Sequence, residues 1–137
     1  MDILKLDWNE YHKYIEKLAE KIKSRCVDGE SIPYKYIAGV EPDDMFVAVH
    51  LSHKLGIPVV TDINILSVLA NFANDTELLI VSNVVQTGNT LTSIKDQIQG
   101  NFDTAVIFKD KNSNYKPTYQ IKVPEGHVYF PWDKCGL

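Results

Sequence analysis

The chain has 137 residues, 45% of them hydrophobic and 23% charged, with a formal net charge of −4. That length suits a single domain over 1–137, and the composition is that of an ordinary globular protein. The mild acidity argues against a nucleic-acid binder, which presents a basic face, and no apolar run nears the roughly 18 residues that span a bilayer.

The opening MDILKLDWNEYHKY lacks a basic-then-apolar signal pattern. Cys26 and Cys135 lack metal-ligand spacing and read as free thiols in a reducing cytosol, so a cytoplasmic location is expected. The first element in chain order is a helix over DWNEYHKYIEKLAEKIKSR, where Trp8, Tyr11, Ile15, Leu18, Ala19 and Ile22 recur at helical spacing. Asp7 with Glu10 has the pattern of a capping box. A strand over 34–40 follows, then EPDD, then an amphipathic helix MFVAVHLSHKLG stopped by Gly56, then a short strand IPVV. INILSVLANFAN fits a helix or a buried strand pair. ELLIVSNVV is an apolar strand, TGNTLTSIKDQIQG a helix, DTAVIFKD a strand, and YQIKVPEGHVYFPW two short strands around a turn at Pro124 to Gly126.

Strands alternating with helices from 34 to 109 predict an α/β fold, a parallel sheet with helices on both faces. Ligands of such sheets sit beyond the carboxyl ends of the strands. The search for function therefore narrows to VEPDD, the segment after IPVV, SNVVQTGNT and KDKNSNYKP. In QTGNT, Gly88 permits a backbone turn closed to other residues. The amides of Thr87, Gly88, Asn89 and Thr90 can then converge on one anion, helped by the two hydroxyls and the helix dipole. Plain turn chemistry, with Thr as a helix cap and Gly as a turn former, accounts for the same letters.

LLIVSNVVQTGNTLTSI resembles the signature of type I phosphoribosyltransferases: an apolar strand, two acids, two apolar residues, then Asp-Thr-Gly-x-Thr. YKYIAGV with LSHKLGIPVV, TAVIFKDK and GHVYFPWD extend the similarity over most of the chain, most closely toward the small bacterial xanthine–guanine branch. The resemblance implies a type I phosphoribosyltransferase-like fold. It implies a 5-phosphate cradle at Thr87, Gly88, Asn89 and Thr90, ribose contacts at Ser82 and Asn83, and an acid–base position at Gln86. It also implies base contacts from Lys109 or Lys111, His127 and the backbone of Val128, a pyrophosphate loop at Glu41, Pro42, Asp43 and Asp44, and the family's last acid, a metal candidate, at Asp133. Assembly as a homo-oligomer is a further expectation carried from the family.

The departures from that signature are chemical. The family's two acids are replaced by Ser82 and Asn83, which bond hydroxyls without neutralising magnesium. Gln86 cannot accept a proton at neutral pH, and acid–base help is worth about 10²–10⁴-fold in rate. Three carboxylates stand where pyrophosphate should dock, and one carboxylate about 4 Å from a phosphate costs on the order of 4 kcal/mol at an effective dielectric near 20. Asp43 and Asp44 are expected to satisfy the amides that begin their own helix, so that the chain fills its own anion site. Capping outranks metal binding for these acids. The interval 61–77 is short and apolar and lacks the Ser-Tyr pair expected of the family's mobile loop; packing in the chain's own core is the first reading of it.

The expectation is thus a phosphoribosyltransferase-like protein, catalytically impaired, that binds a purine nucleoside monophosphate or similar phosphorylated small molecule, with no nucleic-acid or membrane partner. No cofactor is required unless the chain is active, when magnesium is needed. The alternatives are a working guanine, xanthine or hypoxanthine phosphoribosyltransferase, and an interaction or regulatory protein that uses the fold as a scaffold.

Overall fold

The computed structural model describes residues 3–24, 32–39, 41–60, 78–85, 102–111, 113, 115–122 and 127–133. The ambiguous 63–74, the helix expected after the TGNT turn and the turn at 124–126 lie outside the described residues. Helix α1 (Trp8–Ser24) begins with a reciprocal cap: the Glu10 amide donates to Asp7 Oδ1 at 2.7 Å, and the Asp7 amide to Glu10 Oε1 at 3.3 Å. Its stripe Tyr11, Ile15, Leu18, Ala19 and Ile22 is buried. Trp8, expected in that stripe, is 46% exposed instead; it stands at the helix's first position, among the rings of His12, Phe46, His50 and Trp132.

Among the described residues, the main sheet is five-stranded and entirely parallel. Its strands are β2 (Tyr36–Gly39), β3 (Val59–Val60), β4 (Leu78–Val85), β5 (Asp103–Lys109) and β6 (Tyr119–Lys122), in the order β3-β2-β4-β5-β6. The apolar runs of β4 and β5 are buried on both faces, as strands inside a parallel sheet must be. Ile37, Leu79, Val81, Ala105 and Ile107 pack with α1 and with Val47, Ala48 and Leu51 of α2 (Asp44–Leu55). Ala38, Leu78, Ile80 and Val106 form a second buried cluster. Gly56 ends α2 at φ 70°, a conformation that suits glycine, and its amide closes on the Ser52 carbonyl at 2.8 Å.

Helix α2 is less amphipathic than its sequence suggested. Phe46 and Val49 are 38% and 41% exposed, so apolar side chains lie on both of its sides. Phe46 stacks on Trp132, centroids 4.4 Å apart and planes 7° from parallel, and Trp132 stacks on Phe130 at 4.9 Å and 9°. The C-terminal segment is thereby held against α2.

The two tail strands part company. β6 adds to the edge of the main sheet, whereas β7 (His127–Tyr129) pairs in parallel with β1 (Ile3–Lys5) in a separate two-stranded sheet. Three residues of β1 carry too little pattern to stand out in the sequence. At the amino ends of the main strands, Tyr34 Oη donates to the Asp103 carboxylate and lies 2.9 Å from Tyr119 Oη.

Candidate functional site

From β2 the chain passes through α2 to β3 on one side, and from β4 it continues to β5 and β6 on the other. The order reverses between β2 and β4, so the crevice at their carboxyl ends is the topological switch point of the sheet, where open α/β proteins bind ligands. Two of the four loops singled out above flank this crevice: 41–44 after β2, and the end of β4 leading into QTGNT.

The 41–44 loop is folded tightly onto β2. A Cβ added to Gly39 would meet Met45 Sδ at 3.0 Å and the Asp44 carbonyl carbon at 3.1 Å, so glycine lets the first turn of α2 approach. Amides of Asp44 and Met45 donate to the carbonyls of Glu41 and Pro42 at 3.0 and 3.2 Å. Glu41, Pro42 and Asp43 are exposed, but Asp44 is only 2% exposed. Its carboxylate accepts three hydrogen bonds: Oδ2 from the Glu41 amide at 2.9 Å, and Oδ1 from the Asn83 amide at 3.0 Å and from Ser82 Oγ at 3.2 Å. One buried side chain thus ties the loop after β2 to the end of β4.

Asp43 and Asp44, treated alike on sequence grounds, therefore differ. Asp43 makes no capping bond, because its backbone is already helical (φ −67°, ψ −28°) and a capping residue needs an extended one. Burial pushes the Asp44 carboxyl above the ordinary aspartate value, and the nearby Glu41 charge adds to this, while the bonds from Asn83, Glu41 and Ser82 pull the other way.

Ser82 is buried, and its single hydroxyl proton serves either Asp44 Oδ1 or the Val84 carbonyl at 3.3 Å. The Asn83 side chain curls back, its Oδ1 accepting the Val84 amide at 2.6 Å. Lys109 ends β5 in register with Val85, at the same end of the sheet, whereas Lys111 is exposed beyond it.

Val128 is buried in β7. Tyr129 turns its carbonyl toward β1, where it accepts the Leu6 amide at 2.9 Å. Backbone groups alternate sides along a strand, so the N–H and C=O of Val128 face the other edge, with which no described strand pairs. Asp133 closes a turn: its Oδ2 accepts the Phe130 amide at 2.8 Å. Among the described residues, no group of three or more His, Cys, Asp or Glu side chains comes together to hold a metal. Gln86, Thr87, Gly88, Asn89, Thr90 and the His127 side chain lie outside the described residues, as does the 61–77 interval.

The bridge from Asp44 to β4 escaped the sequence reading. The one available signal was an acid placed where the strand order reverses, and that order is not visible in the sequence.

No protein-family model matches the sequence, and no curated protein matches it. Solved structures do. A purine phosphoribosyltransferase from Pyrococcus horikoshii superposes with a TM-score of 0.78 at 24% identity, covering 100% of this chain and 98% of that one. A hypothetical protein from Neisseria gonorrhoeae with bound ppGpp gives 0.77 at 18% identity, covering 98% and 91%. The xanthine-guanine-hypoxanthine phosphoribosyltransferase of Helicobacter pylori gives 0.72 at 18%, covering 96% and 93%. The parallel α/β fold is thus that of the type I phosphoribosyltransferases along the whole chain, as the signature residues implied.

Proposed function

We propose that this chain belongs to the type I phosphoribosyltransferase family, near its purine branch, and binds a purine nucleoside monophosphate or similar phosphorylated ligand while being impaired in phosphoribosyl transfer. The observation that carries the reading is the state of the switch-point crevice. Ser82 and Asn83 are neutral, and the nearest buried carboxylate, Asp44, has both oxygens committed to protein donors. Hard divalent cations want several oxygen ligands free to coordinate, and Ser82 and Asn83 bring no carboxylate while the Asp44 oxygens are already engaged. Thr87, Gly88, Asn89 and Thr90 remain to cradle a 5-phosphate, with Lys109 and the backbone of Val128 for the base. The purine enzymes and the ppGpp-bound protein among the similar structures support a purine nucleotide as ligand.

Isothermal titration with guanosine, xanthosine and inosine monophosphates tests this. We expect micromolar or weaker dissociation constants, weakened further by Thr90→Ala; no heat with any of the three overturns the reading. The near-complete mutual coverage with the Pyrococcus enzyme favours, as a second reading, a working purine phosphoribosyltransferase that uses magnesium. Nucleotide formed from phosphoribosyl pyrophosphate, magnesium and a purine base, and lost in Thr90→Ala, would establish that instead. The exposed Trp8, Phe46 and Val49 fit a protein that self-associates, which sedimentation would measure.

A further inference from the structure

We propose that Asp44 decides which phosphorylated ligand this chain accepts: its carboxylate is a built-in anion that occupies a donor cradle between β2 and β4 and so turns away pyrophosphate-bearing molecules. The cradle consists of two backbone amides and a hydroxyl. The Glu41 amide from the loop after β2 and the Asn83 amide and Ser82 Oγ from β4 converge on one carboxyl group at 2.9, 3.0 and 3.2 Å. Two oxygens on one central atom are what a carboxylate and a phosphoryl group have in common, and convergent amides serve either. Because Asp44 is 2% exposed, no guest reaches these donors without displacing it. An anion beside it meets a charge that is poorly screened by solvent. Glu41 and Asp43 add exposed negative charge at the rim.

Gly39 belongs to the same device. A Cβ at that position would press on the Asp44 carbonyl carbon at 3.1 Å and the Asp44 Cβ at 3.2 Å, so glycine lets the residue that bonds Asn83 sit close against β2. A carboxylate that merely capped its own helix would need the Glu41 amide alone; the reach to Ser82 and Asn83, 38 and 39 residues away, is what places the charge across the switch point. Removing it takes the acceptor from two part-buried amides, and an external anion can supply another.

The test is titration of inorganic pyrophosphate into the wild type, Asp44→Ser and Asp44→Asn. The serine variant should bind pyrophosphate on the order of a hundredfold more tightly than the wild type, with the asparagine variant between them. Pyrophosphate should raise the melting temperature of the serine variant and not of the wild type. A folded Asp44→Ser whose affinity stays within about threefold of wild type overturns the proposal. Should that variant not fold, Asp44→Asn, which keeps the shape and loses the charge, decides alone, and an unchanged affinity there is equally fatal. The proposal rests on the nucleotide reading above only for what the crevice does admit. Absence of monophosphate binding sinks that reading, whereas the pyrophosphate comparison uses no nucleotide and stands separately.

Discussion

The two ends of the main sheet each hold an aspartate in a hydrogen-bonded cluster, and the donors differ. At the amino end, Asp103 meets the Tyr34 hydroxyl, itself 2.9 Å from that of Tyr119. At the carboxyl end, Asp44 meets two backbone amides and a serine hydroxyl. Tyrosine hydroxyls leave with their side chains and are held in place by the packing of their rings, so the Asp103 cluster is a clamp between strands. Backbone amides remain whatever the side chains are, and they accept any anion of suitable shape. The same carboxyl chemistry is structural at one end and selective at the other because of what donates to it.

That contrast breaks most sharply at Asp44. In anion-free buffer, Asp44→Ala should lose about 2–4 kcal/mol of stability, since two amides are left unpaired, and phosphate or pyrophosphate should recover part of it in a thermal melt. Tyr34→Phe should respond to no anion at all. Gly39→Ala comes next: the added methyl must push the first turn of α2 outward, at about 1–3 kcal/mol by chemical denaturation, with a partial gain of anion response as Asp44 is drawn from Asn83. Tyr34→Phe itself should cost about 1–2 kcal/mol and leave nucleotide binding as in the wild type.

The smallest effects are those of pH, and they sharpen the comparison by sign. Burial raises the folded Asp44 carboxyl above 3.8, so the folded protein holds that proton more tightly than the unfolded chain does. Its contribution is fully present below 3.8 and is lost as pH rises through the raised value. The stability of the wild type relative to Asp44→Asn should therefore fall across that window and level off above it; a difference that widens with pH would contradict the burial argument. His50, where α1 and α2 meet, has the opposite sense. Burial first, then the charges of His12 and His53, lower its proton affinity below the ordinary 6.5. Its contribution is complete above 6.5 and is lost as pH falls through the lowered value, and His50→Gln should flatten the melting curve over that interval.

Much of the fold was legible because it is written in short-range pattern. The reciprocal cap of Asp7 and Glu10 and the helix stop at Gly56 link residues three or four apart, and the apolar runs of β4 and β5 announce a sheet buried on both faces. The site was legible to the extent that motif residues lie in one loop. Glu41 to Asp44 stood out as a run of acids, but nothing local distinguishes Asp43 from Asp44, whose different roles follow from backbone angle and burial.

The sequence by itself determined the alternation of strands and helices, the loops in which chemistry had to be sought, and the neutral Ser82 and Asn83 where the signature it resembles has two acids. Each of these depends on residue type and near-neighbour spacing. Tertiary structure alone decided that β1 pairs with β7, that the tail strands join different sheets, and that the carboxylate of Asp44 crosses the switch point to Asn83. Those contacts join residues tens of positions apart, and their partners are selected by the packing of the whole core, which no local pattern encodes.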